Sequence, residues 1–268
     1  VTRIVCRQLA PVLGDLVANH REIVRTITEE TAAGADVLVL PELATSGYVF
    51  RASEEVAACA ITPSDPLVEE WVAAISGGAV VVCGFAERGE NGLVHNSAVV
   101  LDASGVRTTY RKVHLWDREK LFFTPGDRLP EVVDTSFGRI APMICYDLEF
   151  PEYTRSVALA GADLIAAPTN WPLVDRPDGE RPPEVLIAQA AARVNRVTIA
   201  CCDRTGTERG QAWTEGTTII DHNGWPAAEA GPDHRAACTA DLTTARDKQI
   251  SPHNNLFQDR HPTLYITT

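Results

Sequence analysis

Short apolar runs alternate with amphipathic stretches along most of this chain, the pattern of strands alternating with helices. Arg3–Gln8 reads as a strand. Leu16–Gly34 reads as a helix, with Leu16, Ile23, Val24 and Ile27 on one face, Asp15 as N-cap and Gly34 as terminator. Asp36–Leu40 is apolar after its first residue, as a strand covered on both faces should be, and it stops at Pro41-Glu42. Ser64-Asp65-Pro66 opens a helix that runs to about Ser76. Ala79–Ala86, Val94–Leu101 and Val106–Arg111 predict a strand meander with turns at Glu90-Asn91-Gly92 and Ala103-Ser104-Gly105. Lys112–Asp127 fits no period and predicts a long loop with a helical turn. Val132–Thr135 and Arg139–Cys145 predict a hairpin, followed by a helix from Pro151 to Ala160 and a strand over Asp163–Ala167. A Pro-rich loop, Pro168–Pro183, precedes a helix over Glu184–Asn195. Val197–Asp203, Gly216–Asp221 and Ala236–Asp241 predict the last strands, and the tail from Ser251 shows little buried pattern. No linker or repeat interrupts the chain. The pattern predicts a single α/β domain over 1–268, with 251–268 as its tail, built of mixed sheets packed together with helices outside.

Composition narrows the partners. The formal charge is −12, so there is no basic surplus for nucleic acid or an anionic membrane surface. The apolar share of 45% suffices for a large core, yet no apolar run nears the ~18 residues of a membrane span. Val1 opens directly into the first strand pattern without a signal peptide. The seven cysteines are odd in number, form no C-x-x-C pair and lie mostly in apolar runs. That usage predicts reduced thiols in a cytoplasmic protein, with neither a disulfide frame nor a metal site.

The candidate chemistry centres on Ile140–Glu152. An apolar run ends at Cys145, turns polar through Tyr146, Asp147 and Glu149, and meets a helix start at Pro151-Glu152. A cysteine at such a strand exit sits where open α/β sheets place reactive groups, although a buried core thiol is the commoner fate. The strand over Asp36–Leu40 similarly runs into Glu42, and Lys112 follows the strand ending at Arg111. If the strands are parallel neighbours, Glu42 and Cys145 emerge at one sheet edge with Lys112 near them. Glu42 then serves as general base, Cys145 as acyl-accepting nucleophile, and Lys112 as a cation that stabilises the oxyanion and lowers the thiol pKa. Taken singly, Glu42 also reads as a surface carboxylate and Lys112 as a solvated cation.

Three segments together resemble the nitrilase, or carbon–nitrogen hydrolase, superfamily: Pro41-Glu42-Leu43…Gly47-Tyr48, Tyr110-Arg111-Lys112-Val113-His114-Leu115, and Ile144-Cys145-Tyr146-Asp147…Phe150-Pro151-Glu152. The resemblance continues through Asp203-Arg204-Thr205-Gly206…Glu208-Arg209-Gly210 and Arg260-His261-Pro262. It implies a four-layer αββα sandwich that pairs as αββα–αββα in a homodimer, and a cofactor-free triad of Glu42, Lys112 and Cys145. It further implies that Glu119 positions the scissile group and that the Tyr146 backbone N–H joins Lys112 at the oxyanion. Tyr48, Trp116, Tyr146, Asn170 and Trp171 are the implied substrate-binding residues. Glu119 also reads as a partner of Arg118 or Lys120 on a solvated turn, and Trp116 and Trp171 as core aromatics. His114 reads as packing and hydrogen bonding rather than half of a Cys–His dyad, and Arg204 and Glu208 read as structural. Asp147 and Glu149 fit either substrate contacts or helix-start hydrogen bonds.

Members with nitrilase activity commonly carry Trp-Glu after the nucleophile, whereas this chain has Tyr146-Asp147. The resemblance therefore points to hydrolysis of small aliphatic amides to acid and ammonia, with nitrile and N-carbamoyl hydrolysis as alternatives. An N-carbamoyl amino acid needs a cation for its carboxylate, for which Arg155, Arg176 and Arg181 are candidates. A silent binding member is disfavoured by the intact triad. A nucleotide-binding protein is disfavoured because neither G-x-G-x-x-G nor a P-loop occurs.

Overall fold

The computed structural model describes residues 1–265, so the last three residues of the tail, 266–268, lie outside the described residues. In chain order, β1 (Thr2–Arg7), α1 (Leu16–Ala32), β2 (Val37–Val39), α2 (Ser53–Cys59), α3 (Pro66–Ala73) and β3 (Val80–Arg88) come first. The meander β4 (Val94–Asp102) and β5 (Gly105–Arg111) follows, then the hairpin β6 (Val133–Thr135) and β7 (Gly138–Pro142). Next are α4 (Pro151–Leu159), β8 (Leu164–Pro168), α5 (Pro183–Asn195) and β9 (Thr198–Cys202). Short β10 (Thr207–Glu208) and β11 (Gln211–Ala212) lead to β12 (Thr218–Ile220), β13 (Pro226–Glu229) and β14 (Arg235–Ala240).

Two six-stranded mixed sheets result, in the orders β14-β1-β2-β3-β4-β5 and β13-β12-β9-β8-β7-β6. Each has three parallel strands at its centre (β1-β2-β3 and β7-β8-β9) with antiparallel neighbours outside. Period-two alternation decides the layering. Ile4, Cys6, Val37, Val39, Val80 and Val82 join a core shared with Ile140, Leu164, Ala166 and Ala200 of the second sheet. The alternate residues Val5, Leu38, Val81 and Cys83 pack instead with Ile23 and Ile27 of α1 and Trp71 of α3. On the far side of the second sheet, Val157 of α4 and Val185, Ala188 and Ala192 of α5 close the core. The layers are therefore helix, sheet, sheet, helix. Each fully buried Val or Ile removes enough apolar surface for about 1.5–3 kcal/mol, so both faces of these strands must stay apolar.

The predicted Asp15 cap is present, and the helix start at Ser64-Asp65-Pro66 has a cap of its own. Asp15 accepts from the Ala18 N–H and Asp65 from the Leu67 N–H. The chain differs from the sequence expectation in several features, among them the unpredicted short strands β10, β11 and β13. Helix α2 was not anticipated, because its single short run lacks a side-chain cap and spans too few turns to show a period. The strand expected to deliver Cys145 ends at Pro142, and Cys145–Glu149 form a 3₁₀ turn. The tail contains a small ribbon in which Asn254–Asn255 pair with Gln249–Ser251. Among the described residues, no helix is long and apolar enough to cross a membrane.

Candidate active site

Glu42, Lys112, Glu119 and Cys145 converge, but not from one sheet edge. Glu42 follows β2 and Lys112 follows β5, both in the first sheet, whereas Cys145 follows β7 in the second. The expectation of parallel neighbours is thus corrected: the two sheets face each other, and loops from both meet at the end of the shared core. Alternation along isolated strands cannot distinguish an adjacent strand from a facing sheet, which is why the sequence left this open.

Glu42 and Lys112 are fully buried. Lys112 Nζ donates to Glu42 Oε1 at 2.7 Å and to Glu119 Oε1 at 2.7 Å, so Glu119 pairs with neither Arg118 nor Lys120. Tyr48 Oη donates to the same Glu119 oxygen at 2.5 Å, and Glu119 Oε2 accepts from the Trp116 N–H at 3.1 Å. Asn96 Nδ2 donates to Glu42 Oε1 at 2.7 Å, while Glu42 Oε2 has no hydrogen-bond partner among the described residues. Asn96 was not foreseen, although the polar triplet His95-Asn96-Ser97 inside an apolar strand was its signal.

Two carboxylates thus share one ammonium in a dry site. Burial and the Glu119 charge push the Glu42 pKa up to about 7, although Lys112 pulls the other way. Burial lowers the affinity of Lys112 for its proton, but Glu119 and Glu42 more than reverse this, so it stays an ammonium. Two glycines allow the close approach of the supporting backbones. A Cβ on Gly84 would lie 2.5 Å from Glu42 Cα, and one on Gly126 would lie 2.3 Å from the Arg111 carbonyl oxygen.

Cys145 takes a left-handed conformation, φ 46°, which for a residue with a Cβ costs about 1–2 kcal/mol. Asp147 holds that turn. Its Oδ2 accepts from the Ile144 N–H at 3.1 Å and from Tyr110 Oη at 2.7 Å, and its Oδ1 lies 2.8 Å from His114 Nδ1. His114 stacks on Phe150 with ring centroids 3.7 Å apart, consistent with a packing and hydrogen-bonding role. Asp147 therefore serves the turn, which settles one of the two open choices. Lys112 pulls the Cys145 pKa down, as expected, but its effect does not prevail. Burial and then the Glu42 charge raise the thiol well above its ordinary range, outweighing Lys112 and the Asn170 backbone.

A cavity of about 240 Å³ opens onto Cys145, with Trp116, Tyr146, Asn170 and Trp171 among its walls. A neighbouring cavity of about 130 Å³ holds Tyr48 and Glu119 and shares Trp116 with the first. Cys145, Glu119 and the five implied substrate-binding residues therefore each line one of the two cavities, and the buried Glu42 and Lys112 connect to Glu119 through the Lys112 ammonium. Asn170 Nδ2 donates to the Glu42 carbonyl at 3.0 Å and ties the loops of the two sheets together. Asp203, which sequence reasoning did not assign to the site, accepts from the N–H groups of Trp171, Arg204 and Gly216, each at 2.9 Å. Burial pushes its pKa up to about 7. Arg204 Nη1 donates to Glu208 Oε2 at 2.7 Å, and Glu208 Oε1 accepts from the Tyr48 N–H at 2.8 Å, so this structural pair anchors the Tyr48 loop. Among the described residues, no group of three or more His, Cys, Asp or Glu could hold a metal ion.

A family model described as carbon-nitrogen hydrolase matches residues 3–250. A nitrilase of Pyrococcus abyssi is 34% identical over 263 residues, covering 97% of each chain. An (R)-stereoselective amidase of a Pseudomonas species is 33% identical over 229 residues, covering 84% of this chain and 80% of that one. Among solved structures, a mutant of the amidase from Nesterenkonia sp. AN1 shows the result of Michael addition of acrylamide at its active-site cysteine. It matches with a TM-score of 0.79 and 25% identity over 98% of both chains.

Proposed function

This chain belongs to the carbon–nitrogen hydrolase family and is a hydrolytic enzyme, from which we propose that it converts small aliphatic amides to carboxylic acid and ammonia through a thioester on Cys145. The observation that carries the proposal is the buried Glu42–Lys112–Glu119 chain beneath a thiol that opens into an aromatic-walled cavity. With its pKa near 7, Glu42 is balanced to take the Cys145 proton as sulfur attacks the amide carbon. The C–S bond forms as the carbonyl π pair moves onto oxygen. Lys112 and the Tyr146 backbone N–H stabilise that oxyanion, and Lys112 is already ionised and desolvated. Glu42 returns the proton to nitrogen, the C–N bond breaks and ammonia leaves. Water then adds to the thioester carbonyl and gives a proton to Glu42, the C–S bond breaks as the acid forms, and Glu42 returns the proton to the leaving sulfur. Glu119, bonded to Lys112 and Tyr48, positions the substrate and keeps the ammonium in place.

Two alternatives share the first step. Nitrile hydrolysis is favoured by the name of the Pyrococcus relative, and the amide route by Tyr146-Asp147. For N-carbamoyl amino acids the sequence offered three arginines, and none lines the Cys145 cavity. Arg155 donates to the Val194 carbonyl, Arg181 pairs with Glu229, and Arg176 lines a different hollow. Propionamide and propionitrile share an acyl chain, so comparing them cancels pocket fit. The amide should show a kcat/KM higher by at least about 100-fold, roughly 2.7 kcal/mol of transition-state preference. A nitrile rate equal to or above the amide rate overturns the assignment. We also propose a single domain over 1–268 on the uninterrupted element pattern, a cytoplasmic location on the cysteine usage, and an αββα–αββα homodimer on the family resemblance. A one-chain mass by light scattering would refute the dimer.

A further inference from the structure

Three carboxylates, Asp117, Glu149 and Glu184, line the Cys145 cavity, and no lysine, arginine or histidine does. Among the described residues none of the three makes an ion pair or a side-chain hydrogen bond, and Glu184 Oε2 is hidden from solvent without a partner. Glu184 lies in the first turn of α5 and Glu149 just ahead of α4, where helix dipoles favour acids by about 0.3–1 kcal/mol. That effect does not account for the site. Neither helix has a side-chain cap, both acids line the same hollow, and partial burial together with the Glu184 charge raises the pKa of Glu149. A separate observation marks the same hollow as a ligand site. Asn170 is 1% exposed, lines the cavity and leaves Oδ1 without a hydrogen-bond partner. The walls Trp116, Tyr146 and Trp171 add aromatic rings, which attract cations.

We propose that Glu149 and Glu184, among these aromatic walls, form a subsite for an alkylammonium group at the end of the substrate's acyl chain. The inference rests on the amide-hydrolase reading and narrows its substrate class to cationic aliphatic amides. An ammonium supplies donors to two unpaired carboxylates and meets ring faces, and the thioester chemistry at Cys145 is unchanged. A neutral chain would cover these carboxylates with no compensation, and an anionic chain would be repelled by them.

The test compares δ-aminovaleramide with hexanamide, which has the same shape without the charge, and with the anionic glutaramate. The aminoamide should exceed hexanamide in kcat/KM by at least about 10-fold, which is about 1.4 kcal/mol, and glutaramate should fall below hexanamide. In the double variant Glu149→Gln with Glu184→Gln, the ratio of aminoamide to hexanamide should drop to within about 3-fold of unity. The ratio is taken within one protein sample, so any loss of folded protein cancels. Hexanamide turned over as well as the aminoamide by the unaltered protein overturns the subsite and leaves the amide-hydrolase reading intact. A preference that survives in the double variant overturns the assignment to these carboxylates. Turnover of propionitrile with none of the three amides overturns the reading beneath, and the subsite with it.

Discussion

Gly84→Ala tests how tightly the fold fixes Glu42, because Gly84 contributes no side chain and lies outside both cavities. It sits in β3, where its N–H donates to the Pro41 carbonyl at 3.1 Å and its carbonyl accepts from the Ala44 N–H at 2.9 Å. An alanine Cβ there would stand 2.5 Å from Glu42 Cα, 2.6 Å from Pro41 O and 2.8 Å from Leu43 N. All three are backbone atoms, so no rotamer change relieves the clash. Ordinary contact begins near 3.4 Å, so the Glu42 segment has to retreat by roughly 1 Å. A shift of that size stretches the 2.7 Å contacts of Glu42 to Lys112 and Asn96 beyond hydrogen-bond range. Misplacement of about 1 Å at a reacting group lowers turnover by about 100-fold. Overpacking costs about 1–3 kcal/mol of stability, a few degrees in Tm for a chain of this size. Ammonia release from propionamide and a thermal melt, run on the same preparation, separate the two effects. Gly231→Ala is the control, since its Cβ would meet only the Asp233 side chain at 3.3 Å. A folded Gly84→Ala protein with turnover within about 3-fold of the original would refute the claim that this contact sets the Glu42 position.

Glu119→Gln should lower turnover by about 100-fold while iodoacetamide alkylates Cys145 within about 3-fold of the original rate; equal loss of both would mean that Glu119 activates the thiol. Tyr48→Phe removes a hydrogen bond to that carboxylate worth about 1.5–3 kcal/mol, so kcat/KM should fall by about 10- to 100-fold, and an unchanged value would place the hydroxyl outside the site. With Glu42 near 7, kcat/KM should fall about tenfold per unit as pH drops below about 7, and a flat profile down to pH 5 would exclude this base. The stability effect of the same group has a definite sign. A carboxyl raised from 4.5 to about 7 stabilises the fold fully below about 4.5, and loses that contribution as pH rises through about 7. The urea midpoint of the original protein relative to Glu42→Gln should therefore fall between pH 5 and pH 8. Iodoacetamide should label Cys145 first. Burial raises the pKa of Cys83, Cys201 and Cys202, and Cys238 is pushed up to about 11, whereas Cys145 opens into a cavity with the Glu42 and Lys112 charges close by. Early adducts at Cys59 or Cys238 with Cys145 untouched would sink the triad.

Where local chemistry writes structure into sequence, the reading transferred closely. Asp15 as a cap, the helix start at Ser64-Asp65-Pro66, Gly34 as a helix stop and the β4–β5 meander are each fixed by neighbouring residues, and all appear in place. The convergence of Glu42, Lys112, Glu119 and Cys145 was legible only because three separated segments were read together. Their placement on two facing sheets was not, because an apolar strand looks the same whichever surface covers it. Asn96, Gly84 and Asp203 were also missed. Each acts through a long-range contact, to Glu42 or to the Asn170–Trp171 segment, that no local pattern encodes. The acids at Glu149 and Glu184 carry ordinary helix-start signals in sequence, and only the shared cavity relates them. The thiol pKa was misjudged because the lysine was counted without the burial and the second charge that oppose it.

The thioester on Cys145 is tested most directly by trapping it with hydroxylamine during turnover. Propionamide and methyl propionate pass through the same propionyl thioester if Cys145 accepts the acyl group. Hydroxylamine and water then compete for one species. The ratio of propionohydroxamate to propionate should be the same from both donors, and Cys145→Ala should abolish both products. Turnover with no hydroxamate, or with ratios that differ between amide and ester, would contradict a common acyl-enzyme on Cys145.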